Sequence, residues 1–132
     1  LLKIHQYAMM CASTPAQFAA IEALDKGMED VTEMKRSYRH RRHYFVDSLN
    51  EIGLECHTPG GAFYAFPSIR KTGLSSEEFA ERLLLEEKVA VVPGNVFGKG
   101  GEGFIRCSYA SSMEQLQEAV KRLKRFVENH SN

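Results

Sequence analysis

Cysteine is scarce in this 132-residue chain, and net charge is absent altogether. Cys11, Cys56 and Cys107 are far apart and odd in number, which excludes a disulfide scaffold and points to a reducing, cytoplasmic setting. With 17 basic and 17 acidic residues, no surplus charge is available to hold a nucleic acid or an anionic membrane. No apolar run approaches the length of a membrane span, and no signal-peptide pattern opens the chain. The sequence has neither GxSxG nor a Walker loop, and His5, His40, His43, His57 and His130 fall at no triad spacing, so hydrolase and NTPase readings have no support. Cys56 and His57 are adjacent, so on a strand they would face opposite ways, and no second pair stands at ligand spacing. No metal site is expected.

What is present fits one compact domain with a helical arm. Thr14-Pro15 starts a helix, with Thr14 as cap, and Phe18, Ile21, Ala23 and Leu24 recur at helical spacing up to a break at Gly27. A second helix is predicted from about Glu29 to Leu49 on Val31, Met34, Tyr38, Phe45, Val46 and Leu49, ended by Gly53. Its basic run, Lys35 to His43, reads as a solvated face balanced by Glu29, Asp30, Glu33 and Asp47 rather than a nucleic-acid surface.

Leu54–His57 and Ala62–Phe66 are expected to pair as a hairpin around Thr58-Pro59-Gly60-Gly61. Ser75-Ser76-Glu77-Glu78 is a capping box for a helix through Leu85, with Phe79, Leu83 and Leu84 facing the core. The β-branched run Val89–Val92 reads as a buried strand, and Phe104–Tyr109 as the next. Ser111 and Ser112 cap a last helix with an apolar stripe from Met113 to Val127, whose Lys121, Arg122, Lys124 and Arg125 suit the helix dipole. Ser131 and Asn132 are expected to fray. The fold class is therefore α+β: a small, mostly antiparallel sheet packed with helices, preceded by a long N-terminal helical arm.

One arginine stands out. Arg106 lies inside the apolar strand Gly103-Phe104-Ile105-Arg106-Cys107-Ser108-Tyr109-Ala110, with Glu102, on the preceding loop, as the nearest acid in sequence. A buried guanidinium needs an anion, and its planar fork suits a carboxylate bidentately. Either a ligand carboxylate or a distant structural acid could supply that anion.

The motifs Gly60-Gly61-Ala62-Phe63-Tyr64-Ala65-Phe66-Pro67, Glu86-Glu87-Lys88-Val89-Ala90-Val91-Val92-Pro93-Gly94 and the arginine strand occur in one order, followed by an amphipathic helix. With the opening Ile4–Leu24 stretch, this order resembles the C-terminal part of class I/II pyridoxal-phosphate-dependent aminotransferases, the aspartate-aminotransferase-like group of fold type I. The resemblance covers essentially the whole chain. It implies that residues 1–28 are a helical segment from the end of the large domain, and 29–132 the small domain with its long interdomain helix. It implies that Arg106 binds the substrate α-carboxylate and that Phe63 lines the substrate side of the cleft, where ordinary sheet core is the competing account. Asn95 and Phe97 border the mouth or serve turn geometry, and Ser13 and Thr14 are better read as a helix cap than as an anion site.

The family's serine-lysine motif has no match here, so the chain is expected to be an inactive fragment, with no catalytic or cofactor-binding residue of its own. The expected parent is a cytoplasmic homodimer that uses pyridoxal 5'-phosphate on amino-acid and 2-oxo-acid substrates. The missing large domain would supply the lysine, and neither nucleic acid nor membrane is an expected partner. A fold type I β-lyase or synthase, or a non-catalytic regulatory domain that kept the fold, are the alternatives.

Overall fold

A computed structural model describes residues 2–130, so the expected fraying of Ser131 and Asn132 lies outside the described residues. The chain forms two compact units, one up to Arg36 and one from Ser37 onward. No helix among the described residues is long and apolar enough to cross a membrane.

The first unit is helical. It contains α1 (Leu2–Ala8), α2 (Thr14–Lys26) and the opening turns of α3 (Met28–Glu51). The cap of α2 differs from expectation: Ser13 holds that position, and its side chain makes no capping bond. The second helical residue, Pro15, has no amide to offer it. Gly27 forms a one-residue break in ordinary right-handed geometry, donating to the Ala23 carbonyl and accepting from Val31. No residue of α1 or α2 is buried, and Phe18 and Leu24 are 69% and 82% exposed.

The second unit carries the core. Phe45, Val46 and Leu49 on the later turns of α3 are buried, as their helical spacing requires. The chain then departs from the expected hairpin. Leu54–His57 forms no strand: its Glu55 carbonyl accepts a single backbone bond from the Ser68 amide at 2.8 Å, and its Cys56 is held by the side chain of Asn50. The Asn50 Oδ1 accepts from the Cys56 amide at 2.9 Å, and its Nδ2 donates to the carbonyls of Val46 and Cys56. A side chain thereby takes the place of a ladder.

Three short strands follow in the order β1 (Tyr64–Ala65), β3 (Ile105–Ser108), β2 (Val92–Pro93), both pairings antiparallel. The run Val89–Val92 is mostly outside any strand, and none of its residues is fully buried. It lies beside an edge, where continuous apolarity does not require two covered faces.

Between β1 and β2 stands α4 (Ser76–Glu87), opened by the expected capping box: Ser75 accepts from the Glu78 amide, and Glu78 accepts from the Ser75 amide. Phe79, Ala80 and Leu83 face inward, whereas Leu84 is 47% exposed, one helical step off the buried face. The last helix, α5 (Met113–His130), starts after Ser112, whose hydroxyl accepts from the Gln115 amide. It buries Leu116, Leu123, Phe126 and Val127, and the Phe126 ring meets that of Phe79 edge to face at 5.0 Å.

The basic residues of α5 do not serve the helix end, since α5 continues to His130. Arg125 forms a two-pronged pair with the buried carboxylate of Glu87, and Arg122 donates to the Glu87 carbonyl at 3.0 Å. The Arg125 hydrogen bond holds the Glu87 carboxyl below the usual glutamate range, against the opposing effect of burial. A group depressed in this way stabilises the fold above its ordinary value of 4.5, and the contribution fades as pH falls through the lower folded value. In Glu87→Gln, urea denaturation should show a deficit relative to wild type that is constant above about pH 5 and shrinks as the solution is acidified below it. A pH-independent deficit would dissociate the pair from acid sensitivity.

The unburied arm makes its own forecast. In a monomeric sample, amides of α2 should exchange with solvent at least about 100-fold faster than those of β3 and the Leu123–Val127 turn of α5. Equal protection of the two would refute the division into a core and an uncovered arm.

Candidate functional site

The sheet of the second unit has two unlike faces. Successive side chains on a strand point opposite ways. Ile105 and Cys107 of β3 are buried with Ala65, the β1 partner of Cys107. Arg106 and Ser108 therefore occupy the other face, together with Tyr64, paired to Ser108, and Val92, paired to Arg106. Arg106 is half-buried, so the expectation of a guanidinium sealed inside the protein is corrected: its strand is buried on one side, and the arginine is on the other.

The guanidinium carbon of Arg106 lies over the ring of Tyr64 at 4.3 Å and over that of Phe97 at 4.7 Å. Among the described residues the guanidinium has no hydrogen bond or ion pair to a protein acceptor. Two aromatic faces attract a cation through the ring quadrupole, leaving its N–H donors unused. Glu102, the nearest acid in sequence, is engaged elsewhere. Its carboxylate accepts from the Ser76 amide at 2.9 Å, at the N-terminus of α4, where the helix end favours negative charge.

That contact belongs to a small knot that sets the loop bearing Phe97. The Ser76 hydroxyl, fully buried, accepts from the Gly103 amide at 2.9 Å. Asn95 donates from Nδ2 to Glu77 at 2.9 Å, tying the loop to the first turn of α4. Gly94 and Gly101 cross so closely that a Cβ built on Gly94 would stand 2.2 Å from the Gly101 carbonyl oxygen, and one on Gly101 2.0 Å from that of Gly94. Backbone blocks both positions, so only glycine allows the crossing. Phe97 thus stands on a loop closed at its neck, itself 51% exposed.

Phe63 precedes β1 and remains 39% exposed, its ring 4.5 Å from Tyr64 and 6.2 Å from Tyr38. Neither of the neighbouring glycines, Gly60 and Gly61, takes a left-handed conformation. Ala62 does, at φ 58°, and its carbonyl accepts from the hydroxyl of buried Tyr109 at 2.9 Å. Phe66 joins the same aromatic group, stacked on Phe104 at 5.4 Å and edge-on to Phe97 at 6.1 Å. Arg42, part of the basic run expected to be wholly solvated, turns inward and donates to the Pro59 carbonyl at 2.9 Å. Ser13 and Thr14 belong to the other unit.

Sequence reading missed Tyr64 and Ser76 as site residues. Tyr64 was findable by alternation, since it shares a sheet face with Arg106 once β1 and β3 are paired. Ser76 had no signal beyond its place after the capping serine.

Behind the sheet, burial pushes the Cys107 thiol up to about 12, and burial likewise raises Cys56. Cys11 is exposed. At pH 7.5 iodoacetamide should therefore label Cys11 alone in the folded chain, with Cys56 and Cys107 modified only after denaturation. Peptide mass spectrometry reads this directly, and prompt native labelling of Cys107 would contradict the burial.

The family model for aminotransferase class I and II matches residues 3–123. The "Putative aminotransferase YugH" of Bacillus subtilis (strain 168) is 72% identical over 127 residues, spanning 96% of this chain and 33% of that protein. An aspartate aminotransferase of Pyrococcus abyssi is 46% identical over 129 residues, again 96% of this chain and 33% of the relative. The crystal structure of an aromatic aminotransferase from Pyrococcus horikoshii OT3 superposes with a TM-score of 0.91 at 46% identity, over 96% of this chain and 34% of that one. The chain thus spans about a third of the length of the curated relatives it matches.

Proposed function

Because the chain belongs to the class I and II aminotransferases, we propose that it is the C-terminal part of a longer enzyme that moves an amino group between an amino acid and a 2-oxo acid. Residues 1–28 are then the end of the large domain, and 29–132 the small domain with its connecting helix. The parent works in the cytoplasm as a homodimer. Arg106 binds the substrate carboxylate, and Phe63 lines the substrate side of the cleft.

The observation that carries this reading is an uncommitted cation. A structural arginine would meet an acid, and the nearest acid to Arg106 in sequence is bound to Ser76 instead. A half-buried guanidinium with all its donors free suits a carboxylate that arrives from solution, and two parallel N–H···O bonds would fix the orientation of the substrate's Cα.

The residues here do not fit attachment of the cofactor. Every lysine in the chain is exposed, and an amine in water has neither the desolvation nor the neighbouring cation that would free it for Schiff-base formation near neutral pH. Pyridoxal phosphate, which supplies the electron sink for amino transfer when bound, belongs on this reading to the rest of the enzyme. The contribution of this chain is to bind and orient, and by itself it has no transaminase activity.

In the full-length enzyme, Arg106→Ala should lower kcat/KM for amino-acid donors by about 2–5 kcal/mol in transition-state binding, with Arg106→Lys recovering part of it because a point charge cannot reproduce the fork. Kinetics across several donors, with folding verified by circular dichroism, test this. Near-wild-type values in the alanine variant would reduce Arg106 to a structural residue.

A further inference from the structure

We infer that Tyr64 and Phe97 are positioning residues that hold the Arg106 guanidinium in place for a carboxylate without occupying its N–H donors; the inference rests on the carboxylate reading of Arg106. An arginine side chain has many rotamers, and holding one of them costs entropy that a ligand must otherwise supply. Proteins commonly restrain a guanidinium with a carboxylate, but that partner would neutralise the charge and use the fork. Rings at 4.3 and 4.7 Å restrain it differently. They attract the cation through their faces and accept no conventional hydrogen bond from it.

Both rings are themselves fixed. Tyr64 is set by its pairing with Ser108 in the sheet, and Phe63 packs against its ring. Phe97 is set by the Gly94–Gly101 crossing and the Asn95–Glu77 tie. The loop that follows β2 and the strand β1 therefore converge on one side chain of β3 from opposite edges of the sheet.

The test compares a substrate that has the carboxylate with one that lacks it. L-Phenylalanine and L-alanine are each paired with the amine left by removing the α-carboxyl: phenethylamine and ethylamine. Single-turnover selectivity for acid over amine is measured in the full-length enzyme with Tyr64→Phe, Tyr64→Leu, Phe97→Leu and Arg106→Ala, and with each leucine change added to Arg106→Ala. Tyr64→Leu and Phe97→Leu should each reduce selectivity roughly 5- to 20-fold, Tyr64→Phe should keep it within about 2-fold, and neither leucine change should reduce it further once Arg106 is gone.

Equal losses on acid and amine would show that the rings merely pack, and would overturn the inference while leaving Arg106 as the carboxylate site. Unchanged selectivity in Arg106→Ala would overturn the carboxylate reading itself. Phe97 is half in solvent, so Phe97→Leu decides the matter even if Tyr64→Leu does not fold.

Discussion

The second unit depends on β3, the strand with a neighbour on each edge. Four residues divide two tasks by alternation. Ile105 and Cys107 enter the core beside Ala65, Phe79 and Leu123, while Arg106 and Ser108 face the other way. Burying a side chain such as Ile105 contributes about 1.5–3 kcal/mol, so a register slip of one residue would both expose that area and drive a guanidinium into the core. The hydrophobic effect thereby fixes where the arginine points. The direction in which Arg106 points is in this sense a by-product of core packing.

The loop carrying Phe97 is fixed by a different kind of force. It buries little, so directional contacts replace area: the Gly94–Gly101 crossing, the Asn95–Glu77 bond, and the Ser76 residue that serves Glu102 and Gly103 together. The N-terminus of α4 is the hub of these contacts. Its capping box orders the first turn, and the ordered turn presents the amide and hydroxyl of Ser76 to the loop. Local helix-start chemistry is in this way coupled to the placement of a ring over 20 residues downstream.

How much of this was legible in the sequence follows from the range of each interaction. Helices announced themselves through periodicity, and α3, α4 and α5 lie within a few residues of expectation. The capping box was readable because its partners are three residues apart. The hairpin expectation failed where Asn50, on the preceding helix, takes both backbone groups of Cys56, and such competition has no signature in a hydrophobic pattern. The run Val89–Val92 looked buried because composition records apolarity but not whether a second layer covers it. For the site, Arg106 was conspicuous by its charge, whereas its aromatic bracket needed the pairing of β1 with β3 before Tyr64 could be placed beside it.

Two arginines in the same unit show what the bracket changes. Arg125 meets Glu87, a carboxylate 7% exposed, through two prongs, and the pair ties α5 to α4. Its charge is satisfied within the fold and is unavailable to anything else. Arg106 is flanked instead by the rings of Tyr64 and Phe97 at 4.3 and 4.7 Å, and among the described residues its N–H donors meet no protein acceptor. Had an acid taken the place of either ring, the site would be more stable alone and weaker toward an incoming anion, because the newcomer would first have to displace the resident carboxylate. Aromatic restraint avoids that competition. It leaves the protein with an attractive but incomplete arrangement, and on the proposed reading the carboxylate of a ligand is the group whose charge and geometry complete it.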